Sequence, residues 1–122
     1  MKKIYLNELS RRLSINESAL RYYDSKNLFP KMKRDENNYR FVYEEDILYI
    51  NTIICLKKTG MSLENISHYL ELIEKGLESV EERQDIIINQ EKIVLEKIKD
   101  LENQLEFIQQ KKIYYKEMLM KK

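Results

Sequence analysis

The segment from about residue 31 to 43 is rich in cationic and tyrosine side chains, which can bind phosphate. They flank the stretch Asp35-Glu36-Asn37-Asn38. Asn tolerates left-handed turn geometry, so the segment is predicted to form a β-hairpin. Ammonium, guanidinium and phenol groups on such a hairpin can bind phosphate oxygens beside a nucleic-acid groove. The members of this set are Lys31, Lys33, Arg34, Tyr39 and Arg40.

The thiol of Cys55 is a second candidate for chemistry, and two interpretations of it are open. It could share an apolar helix face with Ile50 and Ile54, where burial would leave it a small, unreactive core residue. Alternatively, the neighbouring Lys57 and Lys58 would favour the reactive thiolate. The sequence alone does not choose between a structural and a reactive cysteine.

No arrangement typical of a metal site or an enzyme is present. The sequence contains one Cys and one His, Cys55 and His68, so a closed metal site would need ligands from another chain. There is no Gly-rich loop that could cradle a phosphate and no nucleophile–base pair. Neither a metal, a cofactor nor an enzyme activity is expected, and His68 is interpreted as a surface or interface side chain.

Charge is unevenly divided along the 122 residues. Residues 1–60 hold 12 Lys or Arg against 8 Asp or Glu, whereas residues 61–122 hold 10 against 13. A basic first half indicates a polyanionic partner for that half alone. No apolar run is long enough for a membrane span, and the basic N-terminus lacks the apolar core of a signal peptide, so no membrane association and a cytoplasmic location are expected.

Two short helices precede the predicted hairpin. Residues 7–13 are predicted to form the first, capped by Asn7, and residues 17–26 the second, capped by Asn16. The dipeptide Ser14-Ile15 makes a tight connection between them. Two helices joined by a minimal turn and followed by a basic hairpin predict a winged helix-turn-helix.

Two further helices are predicted after the hairpin. The acidic run 44–46 marks the start of a helix that ends near Thr59, and Ser62 caps another that ends near Lys75. Lys57 and Lys58 fall in the last turn of the earlier helix. They could act as a second wing beside DNA, or complement the helix dipole.

The C-terminal region is predicted to be one long helix that needs a partner. Ser79 and Glu82 have the spacing of a capping box, and no Gly or Pro follows them. Alternating steps of four and three select ten residues, here called the seam, with the coiled-coil pattern. A helix of about 40 residues spans roughly 60 Å, and its simplest partner is a second copy. The seam comprises the apolar residues Ile87, Val94, Ile98, Leu101, Leu105, Ile108, Tyr115 and Leu119, and the charged residues Glu91 and Lys112.

Several motifs, taken in order, resemble the MerR family of bacterial regulators over roughly the first 75 residues. The long C-terminal helix is similar to the dimerisation coil of that family. Ser14, Asn27 and Asn38 depart from it, because they stand where the family usually has Gly. Val42 and Tyr43 also differ, replacing a wing Tyr and a Ser or Thr helix cap. The matching motifs are Ala19-Leu20-Arg21-Tyr22-Tyr23-Asp24, Leu28, Pro30, Arg34, Asn38-Tyr39-Arg40, Glu45-Asp46 and Gly60-Met61-Ser62-Leu63.

The resemblance implies a mainly α fold. A winged helix-turn-helix DNA-binding domain would occupy residues 1–76, and residues 79–121 would form a dimerisation helix that pairs as an antiparallel coiled coil. It also implies a nucleoid-associated homodimer that binds double-stranded promoter DNA. The promoter spacer would be longer than optimal, and its distortion by the protein would align the contacts of RNA polymerase. The DNA contacts it implies are Ser18, Arg21 and Tyr22 on the recognition helix, Arg34, Tyr39 and Arg40 on the wing, and Lys57 and Lys58 on a second wing.

Each implied contact has a structural alternative. Arg21 could pair with Glu17 one helical turn earlier, and Tyr39 could pack on the wing. Tyr22 and Tyr23 are adjacent and cannot share one helix face, so Tyr23 is assigned to the core.

The run Ile54-Cys55-Leu56-Lys57-Lys58-Thr59-Gly60-Met61-Ser62 resembles a thiol-based branch of the family. That branch responds to aldehydes and other electrophiles, and its short members lack a C-terminal effector domain. Modification of Cys55 would act close to the second wing. An alternative function is a non-regulatory winged-helix DNA-binding protein, such as a recombination directionality factor, which has no evident use for the long helix. A coiled-coil scaffold would leave the basic wing unused.

Overall fold

The computed structural model describes all 122 residues, which divide into two compact units, Met1–Leu77 and Glu78–Lys122. The first unit contains a three-stranded sheet and four α-helices, and the second consists almost entirely of one long helix. The predicted fold class, a mainly α protein with a winged helix-turn-helix and a long C-terminal helix, is confirmed.

The sheet is antiparallel, with strand order β1-β3-β2. Strand β1 spans Lys3–Tyr5, β2 spans Lys33–Arg34 and β3 spans Arg40–Tyr43. The hairpin predicted for residues 31–43 is present, although its strands are shorter than that range. Strand β1 was missed, because three residues are too few to show an alternating pattern and only pairing with β3 makes them a strand.

Helices α1 (Leu6–Leu13) and α2 (Glu17–Ser25) form the helix-turn-helix. The cap predicted at Asn7 is wrong, because α1 begins directly after β1 and Tyr5 holds the cap position without a side-chain hydrogen bond. The cap predicted at Asn16 is confirmed, since its Oδ1 accepts a hydrogen bond of 2.8 Å from the Ala19 amide.

Helices α3 (Ile47–Lys58) and α4 (Leu63–Glu74) complete the first unit. The acidic run expected in the first turn of α3 forms a separate 3₁₀ turn instead, Glu44–Asp46. The cap predicted at Ser62 is confirmed, because its hydroxyl accepts a hydrogen bond of 3.1 Å from an amide in the first turn of α4.

Three positions that depart from the family pattern have left-handed backbone. Ser14 has φ 53°, Asn27 has φ 61° and Asn38 has φ 68°. Asn takes this conformation at modest cost, whereas Ser does so less readily. The turns of the winged helix-turn-helix therefore keep a glycine-like geometry although the glycines are absent.

Strands β1 and β3 and helices α1 to α4 contribute to one apolar core. Leu9 and Leu20 bring the two short helices together, and Ile4 and Val42 seal the inner face of the sheet. Leu28 and Phe29, which follow α2, are also fully buried, and α3 and α4 supply Ile50, Ile53, Ile54, Ile66 and Leu72. This core fixes α2 and the hairpin as parts of one rigid body.

Helix α5 spans Val80–Met120, 41 residues without a break. The capping box predicted at Ser79 is wrong. A 3₁₀ turn, Gly76–Ser79, leads into the helix, and the Ser79 hydroxyl accepts a hydrogen bond of 3.1 Å from Arg83 Nε rather than from a backbone amide. Most seam side chains are exposed, among them Leu101 and Leu119 at 61% and 70%. None of the helices combines the length and apolar character needed to cross a membrane.

Candidate nucleic-acid interface

Helix α2 and the hairpin converge on one open cleft of about 360 Å³. Arg21 from α2 lines it, together with Tyr39 and Arg40 from the hairpin. Three side chains assigned to phosphate or base contact from the sequence therefore lie around one cleft, although Arg21 and Tyr39 are 18 positions apart in the sequence. Two guanidinium groups and a phenol, against the single carboxylate of Glu17, suit an anionic partner.

Three side chains of α2 assigned to DNA contact are at the surface. Tyr22 is 52% exposed, and Lys26 Nζ lies 5.6 Å from the centre of its ring. Tyr23 packs edge-on against the buried Phe29, but it is itself only partly buried, so the predicted core role holds only in part. Ser18 is exposed at the start of the helix, where its hydroxyl donates to Asn16 Oδ1 at 2.8 Å.

Arg21 makes the helix pair considered as its structural alternative, but the pair is loose. Its Nη1 lies 3.8 Å from Glu17 Oε1, and both side chains are nearly half exposed. Such surface pairs contribute about 0.3–0.5 kcal/mol, so a phosphate group could displace the carboxylate at small cost.

Arg40 joins the hairpin to α2 through an ion pair that the sequence reading missed. Its Nε donates to Asp24 Oδ2 at 2.8 Å, and the two side chains are only 18% and 20% exposed. One of the five guanidinium donors is used in this contact. Arg40 therefore ties the hairpin to α2 through a largely buried ion pair.

Asp35 organises the tip of the hairpin, a role that the sequence reading also missed. Its Oδ1 accepts hydrogen bonds from the amides of Asn37 and Tyr39, each at 2.9 Å, and its Oδ2 accepts one of 3.0 Å from the Tyr5 hydroxyl. The bond from the Tyr39 amide is the main cause that lowers the pKa of Asp35. The same carboxylate raises the pKa of Tyr5.

Two of the three hairpin side chains assigned to DNA contact, Arg34 and Tyr39, are exposed to solvent rather than packed. Tyr39 is 65% exposed, so most of its side chain is accessible to a partner. Arg34 is exposed on the strand opposite Arg40. The Asp35 network thus holds the backbone of Tyr39 while its ring stays available to a partner.

The end of α3 carries Lys57, Lys58 and Cys55 outside the cleft. Lys58 is exposed and Lys57 is partly buried. Cys55 is exposed, with its Sγ 3.9 Å from Asn51 Oδ1. The buried interpretation of Cys55 is wrong, because Ile54 and its other buried neighbours occupy the inner face of α3. No group of His, Cys, Asp or Glu side chains is arranged to hold a metal ion.

Comparison with known sequences yields one family and several regulators. The model for the MerR HTH family regulatory protein matches residues 5–73. An uncharacterized HTH-type transcriptional regulator of Haemophilus influenzae is 34% identical over 104 residues, which cover 85% of this chain and 77% of the relative. The HTH-type transcriptional regulator AdhR of Bacillus subtilis is 30% identical over 73% of this chain and 64% of its own length.

Solved structures show the same likeness. A MerR family transcriptional regulator from Bacillus thuringiensis matches with a TM-score of 0.80 and 33% identity, over 90% of this chain and 96% of its own. HiNmlR, a MerR family regulator lacking the sensor domain and bound to promoter DNA, matches with a TM-score of 0.78 and 30% identity, over 95% and 92%. Both likenesses extend well beyond the helix-turn-helix.

Proposed function

Since the chain belongs to the MerR family of helix-turn-helix regulatory proteins, we propose that it regulates transcription as a homodimer that binds and distorts promoter DNA. The observation that carries the proposal is the cleft at which Arg21 meets Tyr39 and Arg40. The likeness to HiNmlR bound to promoter DNA supports the same partner.

The contacts divide by their position in the first unit. On α2, Ser18, Arg21 and Tyr22 reach base edges and phosphates in the major groove. The hairpin is a wing, and its exposed Arg34 and Tyr39 bind phosphates beside that groove. The remaining members of the proposed interface are Arg40 on the wing, and Lys57 and Lys58 as a second wing.

Two copies pair through the seam of α5. A single copy leaves the seam exposed, and burying leucine or isoleucine side chains contributes roughly 1.5–3 kcal/mol each. The pairing residues are Ile87, Val94, Ile98, Leu101, Leu105, Ile108, Tyr115 and Leu119.

Distortion of the duplex gives the regulator its means of action. Two interfaces held by one shared coil bind a single stretch of DNA, and their contacts offset the energy of bending and untwisting it. Bent and untwisted promoter DNA then presents its elements to RNA polymerase in an altered alignment.

Footprinting and gel-shift assays on the DNA upstream of the protein's own gene test this proposal. We expect protection of a pseudo-palindrome, binding that weakens steeply with salt, and an altered migration of circularly permuted fragments that reports bending. Binding that ignores sequence in competition would favour the non-regulatory alternative, and unbent DNA would contradict the distortion.

Cys55 is proposed as a sensor of electrophiles. Its exposed thiol lies three residues before the end of α3, in the turn that also holds Lys57 and Lys58. The thiolate adds to the carbonyl carbon of an aldehyde, the oxygen takes up a proton, and a hemithioacetal results. The added group changes the surface beside the second wing.

The sensor proposal is tested with Cys55→Ser, which removes the nucleophile and keeps the size. We expect operator binding to survive and the transcriptional response to formaldehyde to be lost. Thr52→Ser, on the same helix, serves as a control that retains the response. A full response in the Cys55→Ser variant would contradict the sensor and leave DNA binding untouched.

A further inference from the structure

Glu17 is the one acidic side chain that lines the cleft between α2 and the hairpin. It is the first residue of α2, and its Oε1 lies 3.8 Å from Nη1 of Arg21, one helical turn further along. Its side chain is 45% exposed, so a partner in the cleft can reach the carboxylate. A carboxylate at this position repels the phosphate oxygens of DNA. General attraction to a polyanion therefore does not explain it.

The carboxylate of Glu17 accepts hydrogen bonds and donates none, which limits the base edges that it can meet in the major groove. Guanine presents the acceptors O6 and N7 there, and thymine presents the acceptor O4. The donors are the amino groups at N6 of adenine and N4 of cytosine. The adenine N6 lies between two acceptors, its own N7 and the thymine O4, whereas the cytosine N4 has only the guanine O6 beside it. Cytosine is therefore the base that best fits this carboxylate.

The neighbours of Glu17 continue a pattern that suits base edges. In helix-turn-helix proteins, the first turn of the second helix contacts the bases. Ser18 follows Glu17, and its hydroxyl already donates to Asn16 Oδ1 at 2.8 Å, so its oxygen is left to accept. The guanidinium of Arg21 then donates, which suits the O6 and N7 atoms of guanine. Phosphate oxygens only accept, so they match the guanidinium alone.

The pair of Glu17 and Arg21 carries no net charge, so it adds little to the attraction that every DNA sequence shares. Its effect depends on the sequence instead. Where the groove offers an amino group, the carboxylate exchanges its water for a hydrogen bond. Where the groove offers only acceptors, the carboxylate loses water and gains no partner, and this raises the free energy of binding to the wrong sequence.

We infer that Glu17 determines specificity in the DNA interface, because its carboxylate accepts a hydrogen bond from the N4 amino group of a cytosine in the major groove. This inference rests on the promoter binding proposed above. It adds a residue of opposite charge to the cationic contacts, and it assigns that residue to one base.

Gel-shift titrations with Glu17→Gln test the inference, on the operator found by footprinting and on every single base-pair substitution of one half-site. Gln keeps the size of the side chain and removes its charge. We expect the wild-type chain to prefer cytosine at one position by roughly 5-fold to 150-fold, and Glu17→Gln to lose that preference alone. The matched control is Glu8→Gln, which breaks another pair one helical turn long, with Arg12 at 2.6 Å on α1 and outside the cleft. We expect the control to keep every base preference.

Unchanged base preferences in Glu17→Gln would overturn the inference, whatever happens to the overall affinity. A gain in affinity that is equal for all sequences and shared with Glu8→Gln would have the same meaning, because Glu17 would then act only as a surface charge. If the lost preference is for another base, the assignment to cytosine is wrong. In each of these cases the wild-type chain still selects its operator, so the proposed function stands. A wild-type chain that binds all fragments alike overturns both.

Discussion

The two units of the chain use their apolar side chains in opposite ways. In Met1–Leu77, most of the large aliphatic residues of the strands and helices meet in a closed core. In Glu78–Lys122, the apolar seam residues of α5 are exposed or only partly buried. The first unit has its own closed core and carries a charged cleft on its surface. The second leaves an apolar face of α5 uncovered, and under the proposed pairing this face is half of an interface.

The strongest test of this contrast is a charge placed in the seam. We expect Leu101→Glu to dissociate the dimer and to lower promoter affinity by roughly 100-fold or more, because two linked interfaces become one. Asn103→Glu, on the opposite side of α5, is the matched control and should leave the dimer intact. Sedimentation and gel-shift assays measure both effects. A dimeric Leu101→Glu protein would contradict the assignment of the seam.

A second test removes the ion pair inside the first unit. Arg40→Ala leaves the carboxylate of Asp24 poorly compensated, and we expect the free energy of unfolding of this unit to fall by about 1–3 kcal/mol. DNA affinity should fall as well, while the dimer persists. Denaturation by urea, followed through the tyrosine signal, measures the loss. Unchanged stability would show that the pair does not hold the wing to α2.

Arg34 is exposed and is assigned only to phosphate contact, whereas Arg40 also ties the wing to α2. Arg34→Ala should leave stability unchanged, and should reduce the slope of log affinity against log salt by about one, as expected for one lost phosphate contact. Binding titrations at several salt concentrations measure the slope. An unchanged slope would exclude Arg34 from the DNA contacts.

The smallest expected effect concerns pH. The pKa of Asp35 is lowered in the folded chain, so its contribution is present above the unfolded pKa of about 3.9 and is lost as pH falls through the folded value. Amide signals of Asn37 and Tyr39 should lose their protection in that acidic range. In Asp35→Asn this transition should be absent. A transition that persists would assign it to another group.

Local signals in the sequence predicted most of the helices. Asn16 and Ser62 cap their helices through hydrogen bonds to residues three positions away, and α5 follows from the absence of Gly and Pro. The error at Asn7 arises because strand pairing, rather than a cap, decides where α1 begins. At Ser79 a 3₁₀ turn replaces the expected cap.

The organisation of the candidate interface was harder to predict than its members. Arg40 was expected to contact DNA, but its ion pair with Asp24 spans 16 positions in sequence. The hydrogen bond from Tyr5 to Asp35 spans 30 positions and depends on β1, which the pattern did not reveal. Contacts of this kind form only when the fold brings distant segments together. They therefore cannot be predicted from composition and residue spacing.

The bare apolar side of α5 has a thermodynamic consequence. Under the proposed pairing, association rather than folding covers these side chains, so stability follows mass action and the melting temperature of α5 rises with protein concentration. Dilution would dissociate the proposed dimer and expose the apolar side chains of α5 to water. A cell that synthesises little of this protein would therefore hold fewer regulators, and a larger share of them would be unfolded and open to proteases.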